Sequence, residues 1–396
     1  MKLFIVPSWY PSRLNPKSGA FFRDHSRILQ SAGDEVVVVV SLIHSFKNVC
    51  SLKKLLRLQN GVFKENGQLK TYRNESLNWF PRRPCKTYHF YQRRLIRLFE
   101  KAIAECGRPD VVIAHSSLFA GSALGKWLKD KNIPLIVTEH LKEFLIPDTF
   151  TDFQKNCIHE AYHYADRIVA VSSRLRYSIA HQFPESAPKI SIIPNPVDVS
   201  AFEIALDKKP AEKPFVFLTV TFFRSEKRLD LLLQAFANVR QDDPDVRLVL
   251  VGDGPENQMI KQLIKELNLD NSIALTGFLP QTEIVAQMQK SHALVLPSEV
   301  ETFGIVLIEA MACGQPVIAT RCGGPEDIVT PETGFLVPVN DVAALTTAMQ
   351  RMITDYRQFN PQSIRQIAVE KFGDHAYWQA IHNLCSRINT KEIKVQ

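Results

Sequence analysis

Hydrophobic residues in the first half of the chain form short continuous runs separated by amphipathic stretches. The runs are LFIV, VVVVV, DVVIAH, LIVTEH, RIVAVS and ISIIP, and a helical stretch from about Ala20 to Ala32 ends at Gly33. Continuous runs, as opposed to alternating ones, are expected of parallel strands that are covered on both faces. The alternation of such strands with helices predicts a βαβ arrangement.

The same rhythm restarts in the second half, with strands at VFLTVT, VRLVLVG, SIALTG, HALVLP and PVIAT. Between the halves, ALDKKPAEKP is charged, contains two prolines and lacks periodicity, as a linker would. We therefore predict an α/β fold of two Rossmann-like, doubly wound domains that face each other across a cleft. The expected divisions are an N-terminal domain at 1–204, a linker at 205–214, a C-terminal domain at 215–372, and a helix at 373–396 that packs back on the N-terminal domain.

The composition is that of a soluble globular protein, since 45% of the 396 residues are hydrophobic and 22% are charged. The seven cysteines are scattered and never form a CxxC pair, which argues against a disulfide framework or a structural zinc site and fits a reducing cytoplasm. No apolar stretch approaches the ~20 residues that span a bilayer, and the short first run is expected to be a strand, not a signal peptide.

Positive charge is concentrated in residues 44–101, which hold 14 Lys and Arg against three Glu. Apolar residues recur there at helical spacing beside basic ones, at Phe46, Val49, Leu52, Leu55 and Leu56. This pattern predicts a helix on the surface of an anionic membrane, and a solvated insertion is the open alternative. We expect a peripheral membrane contact through residues 44–101 and no nucleic-acid partner.

The strand at HALVLP leads through a polar loop into a helix that is expected to begin near Phe303 and end at Gly314. A helix start at the carboxyl end of a strand suits an anion, because its free N–H groups and positive dipole end point at the ligand. The N–H groups around Phe303, Gly304 and Ile305 are therefore a candidate diphosphate site. Thr302 is a candidate N-cap.

Two carboxylates flank this helix start. Glu309 lies among apolar residues and would be costly there without hydrogen-bond donors, which a ribose diol would supply. Glu301 precedes the helix, where a negative charge also compensates the helix dipole.

The segment closely resembles the retaining GT-B glycosyltransferases of family four, whose signature is two glutamates separated by seven residues. Further matches follow in order across nearly the whole chain: SGAFF, RPDVVIAHS, PLIVTEH, ADRIVAVSS, IIPNPVD, SEKRLDLLLQAF, LVGDGP, LTGFLP, GGPEDIV and TGFLVP. The resemblance implies that Glu301 contacts the transferred sugar and Glu309 the nucleotide ribose. It also implies that His140 lies beside the donor and that Lys227 neutralises the leaving diphosphate, while Gly19 lies in the loop that admits both substrates.

The sequence departs from the family pattern at two places. The family commonly has Gly and Arg ahead of its lysine, where this chain has Thr221 and Phe222. Arg224, three residues before Lys227, is a candidate replacement for the missing guanidinium. The usual Asn-Gly turn is Asn-Pro at residues 195–196, which stiffens it.

The resemblance predicts a retaining, metal-independent transferase that needs no cofactor. We expect it to move a sugar from a UDP- or GDP-sugar to a glycan or lipid-linked acceptor in cell-surface polysaccharide biosynthesis, in the cytoplasm or at the inner face of the membrane. A nucleotide-sugar epimerase and a non-catalytic nucleotide-sugar-binding protein are the alternatives. HEAYH at 159–163 formally matches a zinc-protease helix, QDDPD at 241–245 is expected to be a turn, and GDGPEN lacks the full spacing of a dinucleotide-binding loop.

Overall fold

The computed structural model describes residues 1–16, 18–47, 49, 51–65, 68–205 and 214–392. Most of the linker predicted at 205–214, the last four residues of the chain and the side chain of Leu52 lie outside the described part. The chain divides into two compact units. The first comprises residues 1–171, 175–193 and the chain from Tyr377 onward, and the second comprises residues 172–174 and 194–376.

The first unit is built on a sheet of eight described strands in the order β3-β4-β2-β1-β5-β6-β7-β8, parallel except for the antiparallel edge strand β3. The six strands predicted from apolar runs are all present, which confirms the α/β class. The sequence analysis missed β3 and β4, whose polar residues hide their strand character. The strands are β1 Lys2–Pro7, β2 Glu35–His44, β3 Asn60–Glu65, β4 Leu69–Leu77, β5 Val111–His115, β6 Leu135–Glu139, β7 Arg167–Ala170 and β8 Ile190–Ile192.

Helices cover this sheet because its strands are apolar on both faces. The first helix begins after Gly19, which adopts a left-handed conformation with φ 65° and approaches Trp9 so closely that a Cβ would lie 2.6 Å from the Trp9 carbonyl oxygen. Only glycine fits there without strain. The helices of this unit are α1 Ala20–Ser31, α2 Leu52–Leu55, α3 Pro84–Cys106, α4 Ser122–Asp130, α5 Asp152–Tyr164, α6 Ser173–Gln182, which crosses the division, and α13 Asp374–Glu392.

The prediction of an amphipathic helix around residues 46–56 is largely wrong, because among the described residues of this stretch only the four-residue α2 is helical. Residues 46 and 47 form a turn, and the chain turns again at residues 56 and 57. So short a helix fixes several backbone torsions for few hydrogen bonds, and isolated helices of this length are unstable in water. The remainder of the basic window is the β3–β4 pair and the long helix α3.

The second unit has a fully parallel sheet of six described strands in the order β11-β10-β9-β12-β13-β14. This is the Rossmann order, whose direction reverses between the first and fourth strands of the unit, β9 and β12. The strands are β9 Val216–Val220, β10 Arg247–Val251, β11 Ile273–Gly277, β12 Ala293–Leu296, β13 Val317–Thr320 and β14 Gly334–Val337, and the helices are α7 Leu229–Asp242, α8 Asn257–Glu266, α9 Gln281–Lys290, α10 Ile305–Ala312, α11 Val342–Thr354 and α12 Pro361–Phe372.

The division between the units falls between Ile193 and Pro194, earlier than the boundary after residue 204 that the sequence suggested. The segment after Pro194 belongs to the second unit because it is hydrogen-bonded to α12. The Val197 N–H donates to the Phe372 carbonyl at 2.9 Å, and the Arg365 guanidinium donates to the Val199 carbonyl at 3.1 Å.

The C-terminal helix α13 belongs to the core of the first unit. Its apolar face joins the cluster formed by β1, β2 and α1 through Tyr377, Ile381, Leu384, Cys385 and Ile388. Beside this cluster the carboxylate of Asp34 is almost fully buried and accepts hydrogen bonds from the Trp378 indole at 3.2 Å and the His382 ring at 2.8 Å. One buried acceptor therefore fixes the register of α13 on the unit.

Replacing Asp34 with alanine should lower the free energy of unfolding of the first unit by about 2 kcal/mol, because the Trp378 indole, the His382 ring and the N-terminal ammonium, which lies 2.8 Å from Asp34, lose their buried acceptor. The neighbouring Glu35→Ala variant is the control. Its side chain is 59% exposed and pairs with Lys2 at 3.4 Å, so its removal should cost less than about 1 kcal/mol. Urea unfolding followed by circular dichroism measures both, and equal losses would contradict the role of Asp34.

Candidate functional site

The start of α10 lies at the carboxyl end of β12, beside the point where the strand order reverses. The helix begins at Ile305, two residues later than expected, because Gly304 adopts a left-handed conformation with φ 104° and is itself the N-cap. Thr302 is therefore not the cap that the sequence suggested. Phe303 is buried and anchors the turn. Among the described residues no group accepts from the N–H of Ile305 or Val306, so this helix start is open to an anion.

Lys227 and Glu301 form an ion pair at the same edge of the sheet. Lys227 ends the short turn Ser225–Lys227 after β9, and its Nζ donates to Oε1 of Glu301. The Ser298 hydroxyl donates to the same oxygen at 2.9 Å. The two charged side chains are 19% and 15% exposed. The pair is therefore shielded from solvent but still accessible to a ligand, and it places an ammonium group and a carboxylate side by side at the switch point.

The backbone around Glu301 is fixed from the neighbouring strand. The Gly324 N–H donates to the Glu301 carbonyl at 2.9 Å, and Glu301 pairs with Gly323 as an isolated bridge. Gly324 must be glycine, since a Cβ there would lie 2.1 Å from the Phe303 Cα. The loops after β9, β12 and β13 thus meet at one place and hold the Glu301 carboxylate still.

Glu309 projects from the second half of α10 and is partly buried. Its carboxylate makes no hydrogen bond with any described residue, and burial raises the pKa of Glu309 to about 7. A desolvated acceptor without donors is unfavourable in the free protein. This carboxylate is therefore suited to accept hydrogen bonds from the hydroxyls of a ligand.

Arg224 does not join this ion pair. Its exposed guanidinium lies 4.8 Å from the centre of the Phe222 ring and 4.0 Å from a carboxylate oxygen of Glu226. These contacts hold the side chain over its own turn, because the planar guanidinium stacks on the aromatic face. The Arg224 guanidinium thus makes no described contact with Lys227, Glu301 or Glu309, although the Arg224 carbonyl accepts from the Lys227 N–H at 3.0 Å.

The remaining predicted residues, Gly19 and His140, lie in the first unit, where His140 is part of a cluster of three histidines. Nδ1 of His115, at the end of β5, lies 3.1 Å from Nε2 of His140, which follows β6. The His25 ring, from α1, lies 6.2 Å from that of His140. Phe22 also packs on His140, with the ring centres 5.1 Å apart.

Burial keeps these histidines neutral. It lowers the pKa of His25 to about 3 and the pKa values of His115 and His140 well below their ordinary range. His140 Nδ1 and both ring nitrogens of His25 are buried and have no partner among the described residues. His140 can therefore supply a hydrogen bond but no charge. Sequence reasoning missed His25 and His115, although His115 closes an apolar strand as His140 does.

The described residues contain no group of three or more His, Cys, Asp or Glu side chains that could hold a metal ion. The zinc-protease alternative at HEAYH finds no support within that part of the chain. His159 there is exposed and lies 3.4 Å from the equally exposed Glu185. The segment QDDPD begins in the last two residues of α7, and its remaining residues form a turn before β10, as expected.

Two doubly wound α/β units, with an ion pair and an open helix start at a strand switch point, are the arrangement expected of a GT-B glycosyltransferase. The sequence profiles agree: Glycosyltransferase Family 4 matches residues 19–201, and Glycosyl transferases group 1 matches residues 202–368. The chain belongs to this family of group 1 glycosyltransferases.

Individual relatives share limited identity with the chain. N-acetyl-alpha-D-glucosaminyl L-malate synthase of Bacillus anthracis is 30% identical over 239 residues, which cover 59% of this chain and 61% of that protein, less than two thirds of its length. Sucrose-phosphate synthase from Thermosynechococcus elongatus superposes with a TM-score of 0.77 at 21% identity, covering 99% of this chain and 100% of the other. The Anabaena protein HepE, solved with UDP, gives 0.72 at 20% identity over 98% and 100%. These structures support the fold.

The raised pKa of Glu309 predicts a pH-dependent effect of Glu309→Gln on stability. Between pH 4.5, the ordinary pKa, and about pH 7, the folded protein binds more protons at this site than the unfolded chain does. The site therefore destabilises the protein progressively as the pH rises, by at most about 3 kcal/mol above pH 7. Glu309→Gln should raise the melting temperature at pH 8 and change it little at pH 5.

Glu301→Gln is the matched control, because it removes a carboxylate that already has a cationic partner. It should not raise the melting temperature at either pH. Thermal unfolding of the wild type and both variants at pH 5 and pH 8 measures the effect. Equal stabilisation by Glu309→Gln at the two pH values would show that the Glu309 carboxyl does not titrate as described.

Proposed function

We propose that the protein is a retaining, metal-independent glycosyltransferase that moves a sugar from a UDP- or GDP-sugar to a glycan or lipid-linked acceptor in the assembly of cell-surface polysaccharide. The observation that carries the proposal is the partly buried Lys227–Glu301 ion pair at the switch point of the second sheet. The UDP in the solved HepE complex supports a nucleotide-sugar donor.

In the proposed complex, the donor diphosphate occupies the start of α10 and draws the Lys227 ammonium towards its oxygens. The N–H groups of Ile305 and Val306 and the helix dipole add positive potential. Glu301, relieved of full pairing with Lys227, then accepts hydrogen bonds from hydroxyls of the transferred sugar. Glu309 accepts the ribose diol, which supplies the donors that its carboxylate lacks.

The transfer breaks the bond between the anomeric carbon and the diphosphate oxygen and forms a bond from the same carbon to an acceptor oxygen. Negative charge grows on the diphosphate as it leaves, and Lys227 with the helix start stabilises that charge more in the transition state than in the bound donor. The acceptor proton passes to the departing phosphate oxygen. Retention follows from attack on the same face, which the family resemblance supports.

His140 is proposed to act in this reaction as a neutral hydrogen-bonding group. Its Nδ1 is buried without a described partner, and the pKa of its ring is far below neutrality. A neutral ring can donate to a sugar hydroxyl or phosphate oxygen without changing the charge of the site. Phe22 and His115 hold the orientation of the ring.

The donor-site proposal is tested by binding and by release of nucleoside diphosphate from the sugar nucleotide. UDP or GDP and their sugars should raise the melting temperature selectively, and the shift should persist in EDTA. Lys227→Met should lower the release rate by about 10²–10³-fold, because one preorganised charge is lost. The control is Lys261→Met, an exposed lysine of α8. Wild-type release by Lys227→Met, or a shift abolished by EDTA, would contradict the proposal.

We also propose contact with an anionic membrane through a basic–aromatic patch, defined as Phe46, Lys53, Lys54, Leu55, Leu56, Arg57 and Trp79. Leu56 is 76% and Trp79 60% exposed, and the Phe46 and Trp79 rings meet edge to face with centres 5.8 Å apart. Exposed aromatic and aliphatic groups among lysines are suited to the headgroup region of a bilayer. Among the described residues, no helix is long and apolar enough to cross a membrane.

Charge reversal tests the membrane contact. Lys53→Glu with Lys54→Glu and Arg57→Glu should weaken binding to phosphatidylglycerol-containing vesicles at least about tenfold, since each basic residue near the surface contributes about 1 kcal/mol. The control reverses an equal number of exposed lysines elsewhere in the unit, Lys126, Lys129 and Lys131. Binding is measured by vesicle co-sedimentation. An equal loss of vesicle binding in the two triple variants would show that only net charge matters and would contradict the proposed patch.

A further inference from the structure

A cavity of about 370 Å³ opens in the first unit at the carboxyl ends of β1, β2 and β4, against the first turns of α3. Ligands of parallel α/β sheets bind beyond this edge. The volume lies within the range of small-molecule sites. Its wall includes Ser41, Asn78, Arg82, Arg83, Tyr88 and Tyr91. None of the residues inferred from the sequence lines it.

Ser41 and Tyr91 in this wall each carry a hydroxyl that has no hydrogen-bond partner among the described residues. Ser41, at 1% exposure, and Tyr91, at 7%, are buried, and neither Oγ nor Oη forms a hydrogen bond with a described residue. A buried hydroxyl without a partner costs about 1–3 kcal/mol. Burial also raises the pKa of the Tyr91 phenol, so it stays protonated and can donate. Such hydroxyls at a cavity wall are suited to a ligand that carries hydroxyl groups of its own.

One end of the cavity is positively charged. Arg82 and Arg83 are exposed, and no described residue pairs with either guanidinium. They directly precede α3, a 23-residue helix whose N-cap provides no side-chain acceptor. The positive end of that helix dipole adds to the two charges. Arginine pairs beside a helix start favour phosphate, which accepts several hydrogen bonds from planar donors.

Asn78 and an aromatic pair complete the wall. Oδ1 of Asn78 accepts from the Phe80 N–H and the Thr87 hydroxyl, both at 3.0 Å, which leaves its NH₂ group as a donor without a described acceptor. The rings of Tyr88 and Phe119 lie 5.6 Å apart and form an apolar surface. A sugar or polyol ring matches this combination, because it presents C–H groups on its faces and hydroxyls around its edge.

We propose that this cavity binds the acceptor as a hydroxyl-rich ring that carries a phosphate group. The ring hydroxyls meet Ser41, Asn78 and Tyr91, and the phosphate meets Arg82 and Arg83. The assignment of this ligand as the acceptor rests on the proposed transferase function. The phosphate belongs either to a free sugar phosphate or to a lipid headgroup, and the second source is compatible with Trp79 of the basic–aromatic patch, which directly follows Asn78 in the chain.

The test uses glucose 6-phosphate, glucose and inorganic phosphate as free probes, and phosphatidylinositol vesicles against charge-matched phosphatidylglycerol vesicles as the lipid probes. Calorimetry with wild type should show glucose 6-phosphate binding more tightly than glucose or phosphate alone, because both ends of the cavity are used. Preference for phosphatidylinositol over phosphatidylglycerol vesicles assigns the lipid headgroup as the source, and binding of the free probe without that preference assigns a free sugar phosphate.

Two variants separate the ends of the cavity. Tyr91→Phe removes only a hydroxyl and should weaken the preferred probe about threefold or more. Arg82→Gln with Arg83→Gln should weaken it at least about tenfold and remove the advantage over the unphosphorylated ring. Arg93→Gln with Arg97→Gln removes the same charge from exposed positions further along α3 and should leave affinity nearly unchanged.

The same protein samples are also titrated with UDP and GDP, which the proposed function assigns to the second unit. The proposal is overturned if neither glucose 6-phosphate nor phosphatidylinositol vesicles bind, or if the two cavity variants bind like the control. Loss of probe binding with an intact nucleotide response supports the cavity. If the probe binds as expected and no nucleotide does, the cavity stands as a phosphate–polyol site and the transferase proposal fails.

Discussion

Apart from the β3–β4 pair, the strands of the two sheets are parallel and apolar on both faces, and this constraint governs where polar chemistry can occur. Helices must cover both faces, so a polar side chain inside either layer would be buried without water. Charges and hydroxyls therefore meet a ligand at the carboxyl ends of the strands and on the loops and helices that follow them. Lys227, Ser298 and Glu301 follow β9 and β12, and His115 and His140 close or follow β5 and β6.

Partial burial then sets the electrostatic character of each group. Lys227 and Glu301 form an ion pair at short range. Glu309 has no such partner, and its pKa rises to about 7, while burial keeps the histidines near His140 neutral. The second unit thus offers one exchangeable cation and two acceptors. Around His140, the first unit offers uncharged hydrogen-bonding groups.

The basic window of the first unit has several structural roles that net charge does not distinguish. Arg73 is buried between Glu65 and Glu75, at 2.9 Å from each, and serves the sheet. Lys53 and Arg57 are exposed and Lys54 is half-buried; all three lie beside apolar side chains and belong to a surface. Arg82 and Arg83 lie at a cavity beside a helix start. Their environments, and not their number, decide which of them can meet a ligand.

The sequence by itself determined the α/β class, the six apolar strands of the first unit, five of the second and the family, because continuous apolar runs and motif spacing are local properties of the chain. It did not reveal β3 and β4, which form strands through their backbone pairing despite their polar residues. It also did not reveal the left-handed conformation of Gly304, which moves the start of α10 to Ile305. It placed Arg224 near Lys227 by spacing, whereas stacking on Phe222 holds the guanidinium in another direction. Only the tertiary structure brought His25 to His140 and set Ser41 and Tyr91 around one cavity. These contacts join residues far apart in the chain, and long-range packing, not local periodicity, decides which buried groups find partners and which are left for a ligand.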